Sequence, residues 1–201
     1  MAWIKEIDYD DSKGKLRKIY DRIKGPGDYI DNILKVHSLR PYSLEGHMAL
    51  YKYVLHNSTN ETPVHFLEAL GVYVSMLNKC SYCVDHHYQG MKKLLKDDEK
   101  SEKIHSALKN DKPEMVFSSN ESAVFSYAKK LTLNSATMTK NDIVKLRNAG
   151  LADGEILEIN QVVSYFCYAN RTVLGLGVST DGDILGLSPN DQTDEDNWTH
   201  S

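Results

Sequence analysis

The chain lacks what several protein classes require. Its 201 residues hold only three cysteines, too few for a disulfide scaffold. It has no excess of positive charge: 24 Lys plus Arg stand against 28 Asp plus Glu, for a net charge of -4. With a pI near 6.1, that balance argues against a nucleic-acid partner. No apolar run approaches the ~18 residues needed to cross a bilayer, so no membrane partner is expected. The opening MAWIKEIDYDD breaks into Lys, Glu and Asp where a signal peptide needs a continuous apolar stretch, so a cytoplasmic location is expected. No segment alternates apolar and polar residues as a half-buried strand would, and the expected fold class is all-α.

Enough remains to build a core. Apolar residues make up 41% of the chain, and a chain of this length buries roughly 70% of the surface it would expose unfolded. One domain over residues 1–178 is expected, with 179–201 as an acidic tail. That tail places Asp181, Asp183, Asp191, Asp194, Glu195 and Asp196 among Gly, Ser and Pro, a composition read as disordered or packed on the surface.

The periodicity predicts a succession of helices. Ser12 is a candidate cap for a first helix carrying Leu16, Ile19, Tyr20 and Ile23, closed by Gly25-Pro26-Gly27. Pro41 suits the first turn of another, with a stripe of Leu44, Met48, Tyr51 and Leu55. Thr62-Pro63 reads as cap and first residue of a helix bearing Phe66, Leu70, Tyr73, Val74 and Leu77. A further helix begins around Cys80 and runs through Cys83, His87, Met91 and Leu95. Ser118 with Glu121, and Thr139 with Asp142, have capping-box spacing. The longest helix opens at Asp153 and is expected to stop at Gly175 and Gly177.

The chemistry concentrates between Glu68 and His87. Cys80 and Cys83 sit at a helix start, where unpaired N–H groups and the positive end of the helix dipole stabilise a thiolate. His87, one turn beyond Cys83, is placed to accept or relay a thiol proton. Glu68, on the preceding helix, could orient that histidine if the two helices pack as a hairpin. An attacking thiol, a resolving thiol and a carboxylate-supported base are the parts of a dithiol peroxidase. Thiolate attack on an O–O bond gives a sulfenic acid, and the second thiol converts it to a disulfide. The residues themselves leave open which thiol attacks.

The string Glu68, eleven residues, Cys80, two residues, Cys83, three residues, His87 resembles the core motif of the AhpD-like alkylhydroperoxidases, within the carboxymuconolactone decarboxylase superfamily. The NKCSYC approach, the doubled His86-His87 and the segment AGLADGEILEINQVVSYFCYANRTVLGLGV are similar to its peroxidase-related branch. The resemblance spans most of residues 12–178, with the core motif in 61–97. It implies an AhpD-like helical array with a helix hairpin carrying the CxxC motif, assembled as a homotrimer or homohexamer. The implied activity is reduction of hydrogen or organic hydroperoxides, with no cofactor and no metal, and with an external dithiol as reductant. By the same likeness Cys83 attacks peroxide, Cys80 resolves, and Glu68 and His87 relay protons. Tyr82 stands where well-studied members carry a histidine; His86 and Tyr82 are auxiliary candidates. A general thiol-disulfide oxidoreductase and a non-catalytic redox-sensing oligomer are the competing readings.

Other uses of these residues fit less well. All four candidate zinc ligands of the CxxC and its histidines fall within eight residues, whereas structural zinc sites join separated pairs. Val84 occupies the place where c-type haem attachment needs histidine. Residues 139–174 superficially suggest a helix-turn-helix, but its second helix is apolar and carries Glu155 and Glu158. Cys167 reads as a small core residue. His37, His47, His56, His65 and His105 have no partner identifiable from sequence.

Overall fold

A computed structural model describes residues 2–189, 194 and 196–201. The described residues form helices α1 (Gly14–Ile23), α2 (Asn32–Lys35), α3 (Pro41–Leu55), α4 (Val64–Leu77), α5 (Ser81–Leu95), α6 (Asp98–Lys109), α7 (Ser119–Leu133), α8 (Lys140–Asn148) and α9 (Asp153–Leu176), with three single-turn 3-10 segments and no strand.

Helix α4 is the axis of the array. From Phe66 to Ser75 every residue is buried, so it is covered on all sides, and α5, α6, α7 and α9 pack around it. Helix α9 comes close at Gly71. A Cβ on Gly71 would lie 2.1 Å from the Phe166 ring, so the absent side chain is what lets that aromatic reach the α4 backbone. Asn170 ties the same two helices further along, donating to Ser75 Oγ at 3.0 Å and accepting from Asn78 at 2.9 Å. Those polar pairs satisfy groups that burial would otherwise leave orphaned.

Between α4 and α5 the chain turns within three residues, Asn78 to Cys80. Lys79 takes a left-handed backbone (φ 58°), and the Cys80 N–H returns to the Ser75 carbonyl at 2.9 Å. Helix α5 therefore lies beside α4 with Cys80 at its N-cap.

Helix boundaries follow local chemistry. The Ser118–Glu121 capping box forms in full, and Asp142 accepts the Thr139 N–H at 2.8 Å. Ser12 does not cap α1, whose N-cap is Lys13; its hydroxyl donates to the Tyr9 carbonyl and accepts from Arg17 instead. Pro63 rather than Thr62 is the N-cap of α4, and the Glu158 carboxylate accepts the N–H groups of Glu61 and Thr62 just ahead of it. Helix α9 passes through Gly175 and ends at Gly177, which adopts the left-handed φ of 65°.

The C-terminal segment folds back onto the helices. Leu187, Ser188, Trp198 and His200 are buried. Gly186 (φ 76°) lies so close to α5 that a Cβ would fall 2.8 Å from that of Gln89. Lys93 donates to the Gly186 carbonyl, buried Lys52 to the Pro189 carbonyl, and Arg22 stacks on Trp198 at 3.6 Å. A stretch expected to be disordered or to rest on the surface thus contributes to the interior. Asp191 and Glu195 lie outside the described residues.

Two glycine substitutions separate packing from helix propensity. Gly71→Ala forces the Phe166 ring away and should cost about 1–3 kcal/mol, as overpacking does. Gly46→Ala, within α3 and facing open space, should gain about 0.5–1 kcal/mol. Urea midpoints measure both; a neutral Gly71→Ala would contradict the close α4–α9 contact.

Candidate active site

Glu68 projects from the middle of α4 with its side chain only 2% exposed. A carboxylate so buried needs partners. The first is His87 on α5, whose Nδ1 lies 2.7 Å from Oε2. Since an ionised carboxylate only accepts, Nδ1 carries the proton in this bond and Nε2 is the ring's other titratable atom. The second neighbour is His56, with Nε2 at 3.7 Å from Oε1. Gly90 packs against the carboxylate from the α5 side, where a Cβ would sit at ordinary contact distance, 3.4 Å from Glu68 Oε1. Aromatic edges fix the imidazole: Phe166 at 4.5 Å between centroids and Tyr51 at 6.1 Å, both near perpendicular.

Cys80 and Cys83 are reduced and buried. The Cys83 thiol donates to the Cys80 sulfur, and that bond, aided by the Cys83 backbone N–H and the Asn170 amide, holds Cys80 below the ordinary thiol range. The same bond, together with burial, pushes Cys83 well up. The hydrogen bond within the pair thus favours a thiolate on Cys80, at the helix N-terminus, over one on Cys83.

The two sulfurs face different spaces. Cys83 lines an enclosed cavity with Glu68, His87, Tyr51 and Tyr165, in which water-sized molecules can occupy about 40 Å³. Cys80 lines an open groove on the other side with Ser75, Lys79, Val84, His105 and Lys109.

A second polar cluster closes the cavity. Asp183, from the C-terminal segment, receives Tyr29 Oη at 2.5 Å, Tyr82 Oη at 2.6 Å and the Asn32 N–H at 3.1 Å, and lies 3.1 Å from His86 Nε2. His86 also stacks on Tyr82, with ring centroids 4.5 Å apart. His86 is therefore buried in a network rather than facing solvent, and Tyr82 anchors Asp183. Asp31, the residue before α2, stands nearby; burial, with the Asp183 charge adding to it, pushes its carboxyl up to about 7.

The structure brings Glu68, Cys83, His86, His87 and Tyr82 to one cavity, with Cys80 behind it. Sequence reasoning missed Asp31, Asp183 and His200, which enter from outside the core motif, and left His47 and His56 without roles. The signal for His47 was present: it stands four residues before Tyr51, a residue of the α3 stripe, and both line the cavity. Cys167 packs against the core, with the Asn78 amide 3.7 Å from its sulfur.

No protein-family model matches the sequence, and comparison with curated proteins found no match. Solved structures do match. An uncharacterized peroxidase-related protein from Ralstonia eutropha JMP134, described as an alkylhydroperoxidase AhpD core, aligns at TM-score 0.72 and 17% identity over 89% of this chain and 91% of that one. An uncharacterized peroxidase-related protein from Silicibacter sp. TM1040 aligns at TM-score 0.64 and 23% identity over 73% and 74%. The debrominase Bmp8, without ligand, aligns at TM-score 0.62 and 14% identity over 82% and 83%. The chain has the AhpD-like helical fold. Among solved structures, that fold is shared by peroxidase-related proteins and by a debrominase.

The buried histidines set an acid limit. Burial lowers His47 to about 3 and His200 to about 4, and depresses His37 and His56 as well. Unfolded, each takes a proton near pH 6.5 that the folded chain refuses, so their stability contribution is complete above 6.5 and lost as pH falls toward the folded values. Asp31 acts oppositely, since its contribution is lost as pH rises through about 7, but it stands against four histidines. The urea midpoint should fall between pH 7 and pH 5, and less steeply in His47→Gln. An equally steep fall in the variant would contradict the neutral, buried state of His47.

Proposed function

We propose that the protein is a cofactor-free thiol peroxidase of the AhpD-like type, cycling Cys80 and Cys83 between dithiol and disulfide. The observation that carries this reading is the cavity that Cys83 shares with the Glu68–His87 pair. Since the same fold serves debromination in Bmp8, the fold alone does not choose the reaction. The residues support peroxide reduction: two thiols, an imidazole and a buried carboxylate come together at this site.

Cys83 gives its proton to His87, and Glu68 holds the resulting imidazolium. The Cys83 sulfur attacks the terminal oxygen of the hydroperoxide and the O–O bond breaks. Sulfur gains that oxygen with its hydrogen as a sulfenic acid, and the departing alkoxide or hydroxide takes the proton back from His87. Cys80, as its thiolate, then attacks the Cys83 sulfur. A disulfide forms and hydroxide leaves, protonated from solvent, which replaces the proton Cys80 had given up on ionising. An external dithiol restores the pair through the groove that Cys80 lines. The small free volume beside Cys83 favours hydrogen peroxide over bulky organic hydroperoxides.

Thiol counting with intact mass tests the assignment. After brief exposure to hydrogen peroxide, the wild type should lose two thiols, Cys80→Ser should carry one added oxygen on Cys83, and Cys83→Ser should keep its remaining thiols. Sulfenic acid on Cys80 in Cys83→Ser would reverse the roles. Survival of every thiol in the wild type, with rapid loss on exposure to a small disulfide, would replace peroxidase activity by thiol-disulfide exchange.

A further inference from the structure

The cluster at the mouth of the cavity has a ligand chemistry of its own, independent of the cysteines and of the peroxidase reading. Asp31, His86 and Asp183 each bring one oxygen or nitrogen within 4.8 Å of the others. We propose that these three residues form a binding site for a divalent transition-metal cation.

Four observations support the site. Asp31 is 5% exposed, yet its Oδ1 has no hydrogen-bond partner among the described residues, while its Oδ2 lies 3.8 Å from His200 Nε2. A buried carboxylate oxygen left unpaired costs free energy that a cation would recover. The spacing also fits. His86 Nε2 and Asp183 Oδ2 stand 3.1 Å apart, close to the separation of two ligand atoms each held about 2.0–2.2 Å from one metal.

The outer groups are arranged as metal-site supports are. Tyr29 and Tyr82 each donate a hydroxyl to Asp183, one to each oxygen, and the Asn32 N–H adds a third bond, so the carboxylate is fixed in orientation. Finally, Asp31 and His86 line the same cavity, and among the described residues no lysine or arginine lines it. Imidazole and carboxylate donors suit zinc, manganese, iron(II) or cobalt, and not the soft ions that thiolates select.

The site also gives Tyr82 a function. Its ring stacks on His86 and its hydroxyl holds Asp183, so one side chain positions two ligands from different parts of the chain.

Cobalt(II) titration of the full, reduced, metal-stripped chain tests the proposal, because its visible spectrum separates nitrogen and oxygen ligands from thiolate. We expect one equivalent bound, no sulfur-to-cobalt band, and the same affinity in a variant carrying both Cys80→Ser and Cys83→Ser. Asp31→Asn and Asp183→Asn should each weaken binding at least ~10-fold, and Tyr82→Phe by ~10-fold, in line with the loss of a supporting hydrogen bond. Circular dichroism checks that each variant folds. If the aspartate variants do not fold, Tyr82→Phe, which keeps the ring stack, decides. Failure to bind, an unchanged affinity in these variants, or binding lost with the cysteines would overturn the assignment.

Discussion

The hydrogen bond between Glu68 and His87 is the constraint on which the rest of the site depends. A carboxylate in the middle of the most buried helix costs several kcal/mol unless it is paired. Here the partner comes from the next helix in the chain. For the two to meet, α4 and α5 must lie side by side, which the tight turn at Asn78–Cys80 secures. That same turn puts Cys80 at the N-terminus of α5 and Cys83 one turn inside it, so the geometry that satisfies Glu68 also sets the thiols beside their proton carrier. Phe166, admitted by Gly71, then locks the imidazole from the α9 side.

The cavity so formed has two polar ends. At one, Glu68, His87 and Cys83 line a space that water-sized molecules can enter. At the other, the C-terminal segment supplies Asp183 and His200 to Asp31 and His86, and Leu187 and Ser188 complete the wall. Cys80 lies between this chamber and the outer groove. The proposed cycle gives oxidation from within and reduction from without to different sulfurs, and the hydrogen bond from Cys83 favours the thiolate on the outer one.

The motif and the helices were legible because their signals are local. Periodicity marks the inward stripes, and the spacing of Glu68, Cys80, Cys83 and His87 survives translation into three dimensions, since both helices are straight and their connection is short. The helix starts fall one residue past the caps expected at Ser12, whose hydroxyl pairs with Tyr9 and Arg17, and at Thr62, where Pro63 takes the N-cap. The second cluster was not legible. Asp31 and Asp183 are 152 residues apart, the difference of their numbers, and neither stands in a pattern that announces a ligand. The acidic composition of residues 179–201 suggested a solvated tail, yet Leu187, Trp198 and His200 supply the apolar surface that anchors it. Tyr82, read as an unexplained departure, acquires a partner only once Asp183 is in place.

The central claim is that Glu68 acts through His87 on the sulfur of Cys83. Stopped-flow oxidation by hydrogen peroxide, followed across pH in the wild type and Glu68→Gln, tests it most directly. The account predicts a rate in Glu68→Gln lower by ~10²-fold, the smaller end of what a positioned proton carrier contributes, with the histidine limb of the pH profile displaced and both thiols still titratable. An unchanged rate and an unchanged profile would show that the buried carboxylate serves packing alone.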